Sequence, residues 1–301
     1  MAAFAVAVAA CDVPDPRPSL PEALPDTAVA YLRPDTLRTV RLGPGLVYRY
    51  VWSARGPWAV HLVQADLEGR CDLELGVLQA EARESGGVGR ERVSSMARRS
   101  EREVLVAVNA DFFTPEGTAV GTEMRAGRVT SVAKRPALAW TLGRPPWIGT
   151  AAVVGDSVLV GWPVSASKGD GLTEAVGGFP ELLDRGARVG DLEVTARPSF
   201  AAARHPRTAV GYDPRNGWAW IVVVDGRQRP HSDGMTLPEL AGLFETLGAS
   251  EAINLDGGGS TIMVVADSAV SRPSDLTGER PVANGLALVQ SARGCGVNES
   301  R

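Results

Sequence analysis

Hydrophobic residues along this chain recur mainly in short runs bounded by Gly, Pro, Asn and Asp, a pattern of strands rather than helices. Residues 47–52, 58–65, 73–78, 104–108, 151–154 and 158–161 each read as a strand. Gly155-Asp156 lies between the last two as a hairpin turn. Asp213-Pro214-Arg215-Asn216-Gly217 packs turn-favouring residues between 208–212 and 218–224, which predicts a second hairpin. Both turns are antiparallel signals. Helical spacing stands out in two places. Residues 90–102 carry Val93, Met96 and Ala97 on one side, and 237–247 carry Leu240, Leu243, Phe244 and Leu247 as a stripe that reads as core packing. The second helix has a start signal: Thr236 and Glu239 form a capping box, with Pro238 in the first turn. The predicted fold is a single α/β (α+β) domain of mixed, largely antiparallel sheets with a few flanking helices.

Each predicted helix leads into a short strand that ends in Asn-x-Asp, Asn109-Ala110-Asp111 in one case and Asn254-Leu255-Asp256 in the other. Read as an internal repeat, the two motifs occupy equivalent strand ends, where α/β-type sheets place ligand sites. Read as chance recurrence, they have no reason to meet.

Composition changes the picture mainly by exclusion. The 301 residues are 44% hydrophobic and 22% charged, and 35 acidic against 31 basic residues leave a formal charge of -4, with both signs mixed along the chain. That distribution excludes the basic stripes of a nucleic-acid binder. After the first dozen residues no apolar run approaches the ~18 needed to cross a bilayer. Residues 2–10 are small and apolar and run into Cys11, and Val8-Ala9-Ala10-Cys11 matches the cleavage pattern of bacterial lipoprotein signals, although no Lys or Arg precedes it. Residues 1–11 are therefore read as a truncated lipidation signal ending at Cys11, with a frayed Ala-rich terminus as the alternative. Pro14, Pro16, Pro18, Pro21, Pro25 and Pro34 make 12–36 a tether without regular structure, ahead of a catalytic domain over 37–296. With Cys11 lipidated, Cys71 and Cys295 are left either as a disulfide pair or as two unrelated buried thiols. This arrangement predicts an extracytoplasmic, lipid-anchored protein that touches membrane only through its anchor.

The segment richest in chemistry is Asn254-Leu255-Asp256-Gly257-Gly258-Gly259-Ser260-Thr261. Three consecutive glycines let a backbone approach a ligand closely and turn successive N–H groups toward it, which suits a phosphate or a sugar oxygen. Asp256, at the edge of that nest, is placed to act as base, nucleophile or metal ligand. The spacing is that of neither a P-loop nor a dinucleotide fingerprint, and by composition alone a Gly-rich run is a turn.

This segment resembles the signature of the phosphodiester glycosidases, a family that includes an enzyme removing a GlcNAc-1-phosphodiester cap from mannose 6-phosphate. Further segments match in order. Asn109-Ala110-Asp111-Phe112-Phe113 resembles an Asn-Gly-Gly-Phe-Phe element with Ala-Asp in place of Gly-Gly. Gly177-Gly178-Phe179-Pro180 with Leu182-Leu183 resembles a Gly-Gly-x-Pro-x-Leu stretch and Arg207-Thr208-Ala209-Val210-Gly211 an Arg-Thr-Ala-(Ile/Val)-Gly strand; Asp225-Gly226 and the helix beginning at Met235 follow at suitable distances, and residues 280–288 resemble the closing strand. The resemblance spans about residues 100 to 290 and implies hydrolysis of a sugar-1-phosphodiester at the glycosidic carbon, in an extracytoplasmic polysaccharide or glycoconjugate.

Such a reaction needs a carboxylate near the anomeric carbon and fixed donors around the departing phosphate, while a phosphate leaving group relaxes the usual demand for a general acid. Asp256 is the first candidate for the carboxylate. Asp111 and Asp225 are candidates for a second acid/base or for gripping sugar hydroxyls, Asp111 at a position where the family carries Gly. The N–H groups of Gly257, Gly258 and Gly259 with Arg207 would hold the phosphate, joined by Asn109, Asn254, Ser260 and Thr261 as substrate-binding residues. Arg207 reads equally as a surface ion-pair partner, the two asparagines as turn caps, and Phe112 and Phe113 as core rather than sugar-stacking rings. His61, His205 and His231 lack zinc-ligand spacing. A divalent cation on Asp256, Asp225 and carbonyl oxygens is left open, and no cofactor is otherwise called for. The competing classes are a non-catalytic binder of anionic surface saccharide and a metal-dependent phosphoesterase that cuts the P–O bond.

Overall fold

A computed structural model of the protein describes residues 20–69, 72–82, 89–141, 144–154, 157–160, 172–190, 192 and 197–291. Cys11, Cys71, Cys295 and the Gly155-Asp156 turn tip lie outside the described residues.

Three sheets form the domain. The eight-stranded sheet runs in the order Thr36–Gly43, Leu46–Ser53, Trp58–Asp66, Trp218–Val224, Arg207–Asp213, Glu251–Asn254, Glu181–Asp184, Ala187–Arg188. The six-stranded sheet is Ser157–Val160, Trp147–Val154, Pro136–Trp140, Glu174–Gly177, Glu123–Arg125, Arg128–Ser131. The five-stranded sheet is Ser268–Ala269, Met263–Val265, Val104–Asn109, Asn284–Gln290, Leu73–Gln79. Every described pairing is antiparallel. Both predicted hairpins form, with Val154 opposite Ser157 and Asp213 opposite Trp218.

Trp218–Val224 shows why a seven-residue run is almost wholly apolar: it lies mid-sheet with both faces covered. Ile221 and Val223 face a core shared with Val106, Val108, Leu286 and Leu288 of the five-stranded sheet. Trp220, Val222 and Val224 face the other way, toward Leu240, Leu243 and Phe244 of the Leu237–Leu247 helix. That helix starts and stops where its sequence signals lie. Thr236 Oγ1 accepts from the Glu239 N–H (3.1 Å), the Thr236 N–H donates to Glu239 Oε2 (2.9 Å), and Gly248 closes the helix at φ 80°.

Two expectations need correction. The first helix is Val93–Arg98, shorter than 90–102, because Glu91 is held as a bridge partner of Val282 through two backbone hydrogen bonds and Arg102 turns away to pair with Glu74. The proline-rich segment is not structureless throughout: Asp26–Leu32 is a helix that buries Ala28 and Leu32 against the main core. Its prolines flank the helix without interrupting it, and Thr27 Oγ1 and Tyr31 Oη donate to the carbonyls of Thr246 (2.6 Å) and Glu239 (2.8 Å). Among the described residues no helix is long and apolar enough to cross a membrane.

Candidate active site

The two Asn-x-Asp segments meet. Asn109 ends a strand of the five-stranded sheet and Asn254 one of the eight-stranded sheet, and the chain beyond each is tied to the other. The Asp256 N–H donates to Ala110 O (2.8 Å) and Asn109 Nδ2 to Asp256 O (2.6 Å). Asn109 Oδ1 in turn accepts from Thr208 Oγ1 (2.7 Å) and the Ile262 N–H (3.2 Å). Asn109 is thus a pin between sheets. Asn254 does similar work, donating through Nδ2 to Phe179 O and Leu255 O (both 2.7 Å), while its buried Oδ1 has no partner. Since the sheets are antiparallel, the meeting owes nothing to the parallel-sheet rule; it follows from two sheets packed face to face and cross-linked by buried amides.

The two carboxyls brought together differ in access. Asp111 is buried, its Oδ2 accepting from the Gly121 N–H (2.9 Å) and its Oδ1 without a partner. Gly121 and Gly177 leave room for it, since a Cβ on either would fall 2.6 or 2.5 Å from Oδ2. The Asp111 N–H donates to Asn284 Oδ1 (2.9 Å), and Asn284 Nδ2 donates to Glu123 Oε2 (2.9 Å). Burial first, then the negative charges of Glu123 and Asp256, push the Asp111 carboxyl up to about 7 against the Gly121 hydrogen bond. Asp256 keeps part of its surface open at the rim, yet it is enclosed closely enough that burial lifts its carboxyl to about 6. The Ser260 hydroxyl, which lies nearby without a well-formed hydrogen bond, the Gly257 N–H (2.9 Å) and Arg280 hold it from rising further.

The glycine run differs from the predicted nest. The Gly257 N–H is engaged by Asp256 Oδ1 and the Gly258 N–H by Pro206 O (2.9 Å), so of the three only the Gly259 N–H has no partner among the described residues. What the glycines provide is close approach. A Cβ on Gly257 would sit 2.7 Å from Pro206 O, one on Gly258 3.2 Å from the Arg227 guanidinium, and one on Gly259 2.0 Å from that of Arg280. Gly258 also holds φ 64°. The Ser260 and Thr261 hydroxyls are buried and unpartnered.

Arg207 and Asp225 lie elsewhere than expected. Arg207 is buried, with Nε donating to Met235 O (2.9 Å), Nη2 to Phe200 O (2.6 Å) and Ala203 O (3.2 Å), and its guanidinium 4.9 Å over the Phe200 ring. Such burial lowers its pKa to about 10. It is neither a surface ion-pair partner nor open to a phosphate. Asp225 does not join the carboxyl pair; its Oδ2 meets His231 Nε2 (2.8 Å) and His61 Nε2 (3.4 Å), its Oδ1 accepts from the Arg272 N–H (2.9 Å), and His61 Nδ1 meets the Tyr48 hydroxyl (2.8 Å). Burial alone would raise Asp225, but the two histidines and the Arg272 N–H outweigh it and hold its carboxyl below the usual range. Phe112 meets Phe200 edge-on at 6.2 Å, and Phe113 packs against the core beside the Val93–Arg98 helix. Among the described residues no three His, Cys, Asp or Glu side chains gather as a metal site requires.

Sequence reasoning passed over Glu123, Asn284, Arg227 and Arg280. Arg280 and Asn284 fall in the matched closing segment and Arg227 directly follows the Asp225-Gly226 pair, which were usable signals, whereas Glu123 belongs to a three-residue strand too short to carry one.

A family model for phosphodiester glycosidases matches residues 102–289. The SPbeta prophage-derived uncharacterized protein YomE of Bacillus subtilis strain 168 is 30% identical over 207 residues, covering 67% of this chain, and the chain spans 30% of the length of that curated relative. A hypothetical protein from Synechocystis superposes with a TM-score of 0.63 at 19% identity, covering 85% of this chain and 64% of that one. The zebrafish N-acetylglucosamine-1-phosphodiester alpha-N-acetylglucosaminidase catalytic domain, auto-inhibited by its pro-peptide, superposes at 0.61 and 20% identity, covering 85% and 88%. A putative exported protein from Burkholderia pseudomallei K96243 gives 0.57 at 20% identity over 78% and 74%. At these identities the structural likeness shows the fold.

Proposed function

The chain belongs to the phosphodiester glycosidase family, a family of glycosidase-type hydrolases, and from that premise we propose that it hydrolyses the glycosidic C–O bond of a sugar-1-phosphodiester of the GlcNAc-1-phosphate type. The observation that carries the reading is Asp256, a partly exposed carboxyl held at about 6 where the two Asn-x-Asp segments meet, beside Arg280 and backed by a second, buried acid, Asp111, at about 7. In this reading the bond between the anomeric carbon and the phosphate oxygen breaks, and its electron pair leaves with the phosphate. Water supplies the oxygen that joins the sugar, and Asp256 takes the proton released. Asp111 stays behind the reacting atoms; its burial, with smaller contributions from the charges of Glu123 and Asp256, makes it hold its proton to higher pH than Asp256 does. The Val8-Ala9-Ala10-Cys11 pattern supports a lipid-anchored, extracytoplasmic setting, testable by incorporation of labelled palmitate that Cys11→Ala abolishes.

Hydrolysis of a GlcNAc-1-phosphodiester in heavy-oxygen water tests the chemistry. Label in the sugar and loss of turnover by about 10³-fold or more in Asp256→Asn support it. Label in the phosphate makes the protein a phosphoesterase, and saccharide binding without turnover makes it a binder.

A further inference from the structure

We infer that Arg227 is the side chain that binds the substrate phosphate, seated over Gly258 where the sequence pointed instead to Arg207. The inference rests on the reading of the Asp256 site as a phosphodiester site and assigns its anion-binding group.

Three observations carry it. First, position: Arg227 Nη2 and Nη1 lie 3.2 and 3.3 Å from where a Gly258 Cβ would be, two residues from Asp256, so the guanidinium packs on the glycine backbone more closely than a side chain there would allow without a small shift. Second, charge: the neighbouring arginines are already engaged, Arg280 with Asp275 (2.7 Å), Arg229 with Asp233 (2.6 Å), Arg204 with Glu239 (2.6 Å) and Arg207 with carbonyls. Among the described residues no carboxylate pairs with Arg227. Its partner is His205 Nδ1 at 3.0 Å, which accepts only while that nitrogen is unprotonated, and burial together with Arg207 and Arg227 favours the neutral ring. Arg227 therefore brings an unneutralised, exposed cation to the rim.

Third, its backbone is fixed at an unfavourable angle. Arg227 has φ 59°, the left-handed region that a non-glycine residue holds only when its surroundings insist. The surroundings do so here. The Arg227 N–H donates to Asp233 O (3.3 Å), and Gly226 packs so closely on Pro206 and Gly234 that a Cβ would sit 2.7 Å from Pro206 N. The root of the loop is clamped by Asp225 between His61, His231 and the Arg272 N–H. Asp225, His61 and His231 are on this view positioning residues for Arg227. The two arginines over the glycine run then divide their work: Arg280, paired with Asp275, acts on the Asp256 carboxyl, whereas Arg227, with the unengaged Gly259 N–H, presents donors to the oxygens of the departing phosphate.

Calorimetric titration of the full chain with inorganic phosphate, run on wild type, Arg227→Ala, Arg227→Lys, Arg280→Ala and Asp256→Asn, tests this without needing turnover. Arg227→Ala is expected to weaken phosphate binding about 30-fold, Arg227→Lys to restore part of it, and Asp256→Asn, which removes a nearby negative charge, to bind at least as tightly as wild type. Equal affinity in wild type and Arg227→Ala, no phosphate binding by wild type, or a loss that follows Arg280→Ala alone would overturn the assignment. Weakened phosphate binding in Arg227→Ala from a chain that turns over no phosphodiester would sustain it while the proposed reaction fails.

Discussion

Asp111 with Asp256 and Asp225 with its histidines are two buried acid sites at the same end of the molecule, and burial acts on them in the same direction. Their outcomes are opposite. Around Asp111 the partners are the backbone N–H groups of Gly121 and Phe112, glycines and two further negative groups, with no cation among them, so desolvation prevails and the carboxyl rises to about 7. Around Asp225 two imidazoles and a backbone N–H reach the carboxylate oxygens, and the acid stays ionised. The sign of a shift is decided by what fills the oxygens' hydrogen-bonding positions, not by depth. The first arrangement yields an acid that can exchange protons near neutrality; the second yields a fixed anion suited to holding a loop.

The same substitution at the two sites therefore separates them. Asp225→Asn should cost about 3 kcal/mol, because it removes a buried charge that two imidazoles are arranged around. Chemical denaturation reads this, and an unchanged midpoint would remove the fixed-anion role. Asp111→Asn at pH 8 should leave the midpoint equal to or above that of wild type, since it deletes a charge that folding disfavours.

A pH series sharpens the contrast. Asp111 and Asp256, raised from 3.8 to about 7 and about 6, hold protons in the folded state that the unfolded chain has released. They make stability fall as pH rises from about 4 to about 7. Asp225, depressed, acts oppositely: its contribution is present above the unfolded value and is lost as pH falls through the folded one. Melting temperature against pH should thus decline less steeply across pH 4 to 7 in Asp111→Asn than in wild type; parallel curves would contradict the raised acid. The smallest effect is expected far from both sites, where Thr236→Ala removes the helix cap at a cost of about 1 kcal/mol, with turnover unchanged.

How far the sequence reached depended on the range of the forces involved. The Leu237–Leu247 helix was legible to its ends because its capping box and its glycine stop are local, and the 207–224 hairpin because its turn residues adjoin its strands. The Asp26–Leu32 helix was not, since seven residues between prolines are helical only by docking Ala28 and Leu32 on the core. In the site, the two Asn-x-Asp motifs were visible as a pair, and the ordered motifs around them carried the family. Asp225 was visible but its histidines were not, because His61 lies 164 residues away and reaches it only through the strand register.

By itself, then, the sequence determined the β-dominated class, the capped helix, the glycine run and the identity of the carboxyls, all set by residue type and near neighbours. Only the tertiary structure decided that Asp111 and Asp256 share one enclosure, that Arg207 turns inward while Arg227 stays at the rim, and that Asp225 is an anchor. Desolvation and charge pairing depend on groups distant in sequence, and folding is what brings them within a few ångströms.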